Sequence, residues 1–111
     1  MEIIKLSGVT YDGRQNVISN LQNHQQLLLV PQPNNLYDKY AVEVYTLDYK
    51  SVGFIPRGQN IEYFKNITEN NHKYLVEVYS IVGGGCDYNY GINVTIKSAE
   101  NSEPGNLSNE E

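Results

Sequence analysis

The sequence predicts a small, mainly β domain of about six short strands, arranged as a barrel or sandwich, with a partly open barrel under one helix the best fit. Three observations predict it. Apolar residues alternate with period two along residues 40–47, 72–82 and 88–97. Turn chemistry separates these runs, at Asp12-Gly13, Pro33-Asn34-Asn35, Asp48-Tyr49-Lys50-Ser51 and Gly83-Gly84-Gly85. One segment, residues 59–67, is the best helix in the chain. At 111 residues the chain is one domain, with a real core but little spare length.

Taken in order, residues 3–10 read as the first strand, with Ile4 and Leu6 alternating against Ile3, Lys5 and Ser7. Tyr11-Asp12-Gly13-Arg14 is a turn. Residues 15–25 are polar, and Val17, Ile18 and Leu21 allow a short helical turn or a packed loop. Leu27-Leu28-Leu29-Val30 has the length of a strand and is stopped by Pro31. In residues 40–47, Val42, Val44 and Thr46 share one face and Ala41, Glu43 and Tyr45 the other. Residues 51–55 return as a strand, and Pro56 ends it and suits the first turn of a helix. Ile61, Phe64 and Ile67 form the apolar stripe of that helix, and Glu69-Asn70-Asn71 closes it. Residues 72–82 set Tyr74, Val76, Val78 and Ser80 against Leu75, Glu77, Tyr79 and Ile81. Residues 88–97 turn Ile92, Val94 and Ile96 inward. The body is therefore residues 1–97, followed by an acidic, aperiodic tail, 98–111, that reads as disordered.

The net charge of −5 is uneven, because four of the 13 acidic residues (Glu100, Glu103, Glu110 and Glu111) lie in the tail. The body carries 9 acidic residues against 8 basic ones, so a large phosphate footprint is not expected, although a local basic patch is compatible. With Cys86 alone, no intrachain disulfide or cysteine zinc cluster forms. The start of the chain reads as a strand rather than a signal peptide, and no run is long enough to cross a bilayer. An intracellular, cytoplasmic protein is expected.

An enzyme is hard to build from these residues. His24 and His72 sit in polar connections without metal-ligand spacing, so no metal or cofactor is expected. The glycine run lacks the Lys-Ser or Lys-Thr of a phosphate-binding loop. Asp12 and Asp38 are single carboxylates without an evident partner for acid–base work. The tyrosines divide instead. Tyr45, Tyr74 and Tyr79 alternate within strands and read as packing residues, whereas Tyr11, Tyr37, Tyr88 and Tyr90 fall at loop or strand ends. Exposed rings of that kind suit stacking on the bases of a single strand. Arg14 and Arg57 both sit where a strand gives way to a loop, as idle surface charges or as phosphate contacts.

Three motifs then occur in order: Gly8-Val9-Thr10-Tyr11-Asp12-Gly13, Asn34-Asn35-Leu36-Tyr37-Asp38-Lys39-Tyr40-Ala41-Val42-Glu43-Val44, and Val52-Gly53-Phe54-Ile55-Pro56-Arg57. Together they resemble a HIRAN domain over about residues 3–97. The family is an accessory module of Swi/Snf-type DNA translocases such as helicase-like transcription factor, and it also occurs as a stand-alone bacterial or phage domain. The resemblance implies a six-stranded, OB-like β-barrel with one or two short helices. It implies a non-catalytic module that binds single-stranded DNA at a free 3′-hydroxyl end. By position, Tyr11 matches a stacking tyrosine, and Asn35, Tyr37 and Asp38 match the loop around the terminal nucleotide. Arg57 matches the phosphate-contacting cation, and Tyr88 or Tyr90 a second base platform. Asp38 is expected to accept a hydrogen bond from the terminal hydroxyl and to reject a 3′-phosphate.

The chain departs from the family at Thr10 and Asp12, where eukaryotic members carry a basic residue and a paired aromatic. The motor of the translocases is also absent from this chain. Two alternatives stand beside the DNA reading. Asp38 serves only to cap its own loop while Tyr37 plugs the end of the barrel. Or the domain is a protein-interaction module, with a partner in DNA processing or as an acidic inhibitor of a nucleic-acid enzyme.

Overall fold

A computed structural model describes residues 1–86 and 88–99, so the tail expected over 98–111 lies, from residue 100 on, outside the described residues. The elements run β1 (Glu2–Lys5), α1 (Arg14–Ile18), β2 (Gln26–Gln32), β3 (Ala41–Thr46), β4 (Ser51–Phe54), α2 (Asn60–Asn70), β5 (Tyr74–Gly83) and β6 (Tyr90–Ser98). All six strands join one antiparallel sheet in the order β1-β6-β5-β2-β3-β4. The mainly β class, the six strands and the main helix follow the sequence periodicity, and of the two alternatives for residues 15–25 the short helical turn is the one formed, as α1.

The OB-like barrel is not completed, because the sheet does not close. Among the described residues the two ends of the sheet pair at one position, just past β1, where Ser7 and Phe54 exchange two backbone hydrogen bonds of 2.9 Å each. The ladder stops on either side for local reasons. Pro56, two residues past Phe54, has no N–H to offer. Gly8, one residue past Ser7, turns the chain away with φ of 67°. The same turn ends β1 at Lys5 rather than at Thr10. The molecule is thus a curved open sheet whose two ends touch once.

Two further boundaries differ from expectation. Pro31 does not stop β2: it pairs with Val42 inside the strand. Strand β2 leaves β5 after Gln26 and Leu27, so by Pro31 it has β3 on one flank only, where a missing donor is tolerated. Helix α2 runs on to Asn70, and Asn71 closes it in the left-handed region at φ 52°. Of its expected stripe only Phe64 is buried, edge-on to Tyr40 at 5.4 Å, while Ile61 stays exposed.

The core fills the concave side of the sheet. Val42, Val44, Val52, Val76, Val78, Ile92 and Val94 point into it from the strands, and Ile18 and Phe64 close it from the helices. Each such side chain contributes roughly 1.5–3 kcal/mol relative to exposure. A bulge between Val78 and Ser80 leaves Tyr79 unpaired and exposed, so it is not the packing residue that alternation predicts.

Beneath the Ser7–Phe54 contact lies a buried polar network. Arg14, only 6% exposed, donates from Nε to Ser51 Oγ (2.8 Å), from Nη1 to Gly8 O (3.0 Å) and from Nη2 to Glu43 Oε2 (3.1 Å). Its guanidinium also lies over the Phe54 ring, 5.1 Å from the centroid. Glu43 accepts further from Tyr45 Oη (2.9 Å), Ser51 Oγ (2.6 Å) and Gln32 Nε2 (3.2 Å), so every oxygen of the carboxylate is used. Burial, and then the bond to Glu43, raises the Tyr45 phenol above its ordinary pKa. The far end of the sheet is tied by the Tyr63 hydroxyl, which donates to Glu2.

Two predictions follow from these contacts. Replacing Arg14 by Met leaves the Glu43 charge enclosed and unpaired, and is expected to cost about 3–5 kcal/mol. The double variant R14M/E43Q recovers part of that loss. Urea denaturation of both checks this, and a loss under about 1 kcal/mol in R14M would remove the pair from its structural role. The second concerns pH. Burial, and then the bond to Glu2, raises the Tyr63 phenol above its ordinary value of 10. The folded state then keeps a proton that the unfolded state releases, so stability is full below that pH and falls as pH rises beyond it. Tyr63→Phe flattens the fall, read as the change in urea midpoint between about pH 8 and pH 11.

Candidate functional site

The chain between β2 and β3 is held by its own side chains. Pro33 and Asn34 form the corner of a turn in which Asn35 N–H reaches Gln32 O (3.1 Å). Asn35 Oδ1 then accepts the N–H groups of Tyr37 (2.8 Å) and Asp38 (3.1 Å), an Asx turn. Asp38 repeats the device, its Oδ1 accepting Tyr40 N–H (2.9 Å) and its carbonyl accepting Ala41 N–H (3.0 Å). With these amides turned inward, Leu36 and Tyr37 are thrown outward. Tyr37 is 85% exposed and does not plug the end of the sheet.

The second oxygen of Asp38 reaches into the helix. Asn60, the first residue of α2 and only 2% exposed, donates its Nδ2 to Asp38 Oδ2 (2.9 Å) and to Tyr40 O (2.8 Å). Arg57 arrives from the other side. Its Nη2 donates to Tyr37 O (2.6 Å) and its Nε stands 3.9 Å from Asp38 Oδ2. That ion pair is largely in solvent and contributes at most about 1 kcal/mol. Most of the five guanidinium donors remain available.

Together these residues make a groove of about 200 Å³, lined by Ser7, Asn35, Tyr37, Asp38, Ala41, Phe54, Ile55 and Arg57. A second hollow of about 280 Å³ shares Tyr37, Asp38 and Arg57 and adds Gly58, Asn60 and Ile61. The groove has an apolar floor from Phe54 and Ile55, a carboxylate, a cation and an exposed ring at its mouth. Such a set can hold a sugar hydroxyl, a phosphate and a base face.

Of the eight residues singled out in the sequence, Asn35, Tyr37, Asp38 and Arg57 come together here. Arg14 does not face solvent at all. Its guanidinium is consumed by the buried network, so the expected phosphate contact gives way to a structural role. Tyr90 is likewise internal: its ring packs against Gly84, where any Cβ would collide with it. Tyr11 and Tyr88 are exposed, at 67% and 76%, but stand outside the groove. The backbone two residues from each is tied by Gln15, which donates from Nε2 to Val9 O (2.9 Å) and Tyr90 O (3.1 Å) and accepts Tyr90 N–H at 2.7 Å. Tyr11 follows groove-lining Ser7 by four residues, a span of at most about 14 Å.

Sequence reasoning missed Ser7, Phe54 and Asn60. Phe54 was read only as a strand residue and Asn60 only as part of a helix start. Asn60 stands four residues before Phe64 and seven before Ile67, so a polar side chain on the apolar face of the helix was the one available signal. Among the described residues no group of three or more His, Cys, Asp or Glu side chains is placed to hold a metal ion. No described helix is long and apolar enough to cross a membrane.

Comparison with known proteins bears on the same segments. Residues 4–99 match the sequence model of the HIRAN domain. No curated protein matches the chain. Two solved structures share the fold. One is a protein from Lactobacillus plantarum, with a TM-score of 0.65 at 20% identity, covering 87% of this chain and 93% of that one. The other is the HIRAN domain of human HLTF, with a TM-score of 0.63 at 19% identity, covering 86% of this chain and 73% of that one.

The geometry predicts the consequence of removing Asn60. Asn60→Ala leaves Asp38 Oδ2 and Tyr40 O without their buried donor, and is expected to cost about 1–3 kcal/mol of stability. Amide exchange should accelerate in residues 35–41 more than in β5 and β6, and uniform acceleration would contradict a local latch.

Proposed function

This chain belongs to the HIRAN domain family, and we propose that it is a non-catalytic module that binds single-stranded DNA at a free 3′-hydroxyl end. HIRAN domains are nucleic-acid-binding modules. The observation that carries the finer reading is the convergence of Asn35, Tyr37, Asp38 and Arg57 on one groove. Asp38 accepts one protein donor on each oxygen, and an ionised carboxylate has capacity for more. A terminal hydroxyl supplies the donor it lacks. A 3′-phosphate supplies none and adds negative charge against the carboxylate. Tyr37, free of the core, offers a stacking face worth about 1–3 kcal/mol per base. Arg57 takes the neighbouring phosphate. Tyr11 and Tyr88, both exposed, offer further faces along the strand.

With Arg14 withdrawn into the interior, the charge available to phosphate is small: Arg57 at the groove and Lys39 beside it. Binding should be weak, micromolar or poorer, with log K falling against log salt by about 0.7 per phosphate contact.

A second reading, docking of a protein partner in DNA processing, is favoured by one observation. Leu36 is 93% exposed next to Tyr37, where a single-strand ligand alone gives it no role.

Fluorescence anisotropy with a short labelled oligonucleotide at low salt tests the proposal. The hydroxyl-ended strand should bind more tightly than the same strand ending in 3′-phosphate. Tyr37→Ala and Arg57→Ala should each weaken binding by roughly fivefold or more, with the melting temperature unchanged in Tyr37→Ala and stability lowered by no more than about 1 kcal/mol in Arg57→Ala. Equal binding of both ends would overturn the end reading. No binding at all, with Leu36→Ser abolishing capture of a protein partner, would favour the second.

A further inference from the structure

The groove also discriminates between sugars, an inference that rests on the end-binding reading above. Asp38 Oδ1 is occupied by Tyr40 N–H and Oδ2 by Asn60 Nδ2, each at 2.9 Å. An ionised carboxylate has roughly four lone-pair directions, so one acceptor position remains on each oxygen. Arg57 Nε, at 3.9 Å from Oδ2, is beyond hydrogen-bonding distance and leaves that position open. The spare capacity is therefore two adjacent acceptors, not one.

Donors stand beside them. Asn35 uses its Oδ1 twice, for Tyr37 N–H and Asp38 N–H, which fixes the orientation of the amide. Its Nδ2 makes no hydrogen bond among the described residues, and the side chain lines the groove. Arg57 adds further N–H groups on the opposite side. Ala41 contributes only a methyl to the wall next to Asp38, so space for a second substituent on the sugar is not taken by the protein.

Two hydroxyls on neighbouring ring carbons have the complementary pattern. Each donates once, to one carboxylate oxygen, and accepts, from Asn35 Nδ2 or Arg57. A deoxyribose end has one such hydroxyl and leaves one acceptor and one donor desolvated without a partner, which is costly in a site built to bond them. We infer that the groove holds a terminal ribose through its vicinal 2′,3′-diol, so that RNA 3′ ends bind more tightly than DNA 3′ ends. A ligand with this pattern engages Asp38 bidentately without disturbing the Tyr40 and Asn60 bonds that keep the loop folded.

The test uses the full chain and four labelled oligodeoxynucleotides of one sequence that differ only in the last sugar. They end in deoxyribose, ribose, 2′-O-methyl ribose, or deoxyribose 3′-phosphate, and binding is read by anisotropy. The ribose end should bind about tenfold more tightly than the deoxyribose end, the effect of one added hydrogen bond to a charged group. The 2′-O-methyl end should lose that gain, because it cannot donate. A ribose end that binds no better than the deoxyribose end, while the 3′-phosphate binds worse than both, overturns the diol inference and leaves the end reading standing. A 2′-O-methyl end as tight as the ribose end also overturns it, since sugar shape rather than donation would then carry the gain. A 3′-phosphate as tight as the hydroxyl ends overturns the end reading itself.

Discussion

The pairing of Arg14 with Glu43 is the contact on which the rest of the structure depends. Taking a guanidinium and a carboxylate out of water is costly, and the cost is offset only when both are fully bonded. Here each is. The side chain that achieves this reaches four places at once: the Gly8 turn, β3 at Glu43, β4 at Ser51, and the face of Phe54. Those are the segments that bring the two ends of the open sheet together at Ser7 and Phe54. A sheet with two free ends has little else to hold its curvature there, because Pro56 and Gly8 deny it a ladder.

That same junction is the floor of the groove. Ser7 and Phe54 line it, and the Phe54 ring packs against the Arg14 guanidinium. Arg14 therefore supports the site without touching a ligand. The walls are built by a second economy, in which Asn35 and Asp38 satisfy backbone amides with part of their polar capacity and keep the remainder for the groove. The reading in which Asp38 only caps its loop and the reading in which it meets a ligand are compatible, because a carboxylate has more acceptor positions than the loop consumes. Asn60 makes the arrangement rigid by anchoring Asp38 to the start of α2 from within the core.

Much of the fold was legible because its signals are local. Alternation placed Val42, Val44 and Thr46 on one face of β3, which the structure buries, and turned Ile92, Val94 and Ile96 of β6 inward, as the structure has them. What failed were the places where a neighbour decides. Pro31 reads as a stop until the missing β5 flank is seen to make it harmless. Tyr79 reads as packed until the bulge turns it out. Ile61 belongs to a helical stripe, but α2 rests on the sheet through Phe64. Half of the site was legible too, since Asn35, Tyr37, Asp38 and Arg57 stand in two short motifs. Arg14 was misplaced because a basic residue after a turn looks the same in sequence whether its charge meets water or a buried glutamate.

The sequence by itself determined the mainly β class, the strands, the main helix, and the turn that presents Tyr37 and Asp38. All of these rest on periodicity and on side chains acting within a few positions of themselves. Only the tertiary structure decided that the ends of the sheet pair at Ser7 and Phe54, that Arg14 and Tyr90 turn inward, and that Ser7, Phe54 and Asn60 join the groove. Apart from Tyr90, which folds over Gly84 six positions away, these outcomes are set by contacts between residues about 20 or more positions apart, whose strength comes from burial, and burial is a property of the assembled sheet rather than of any segment.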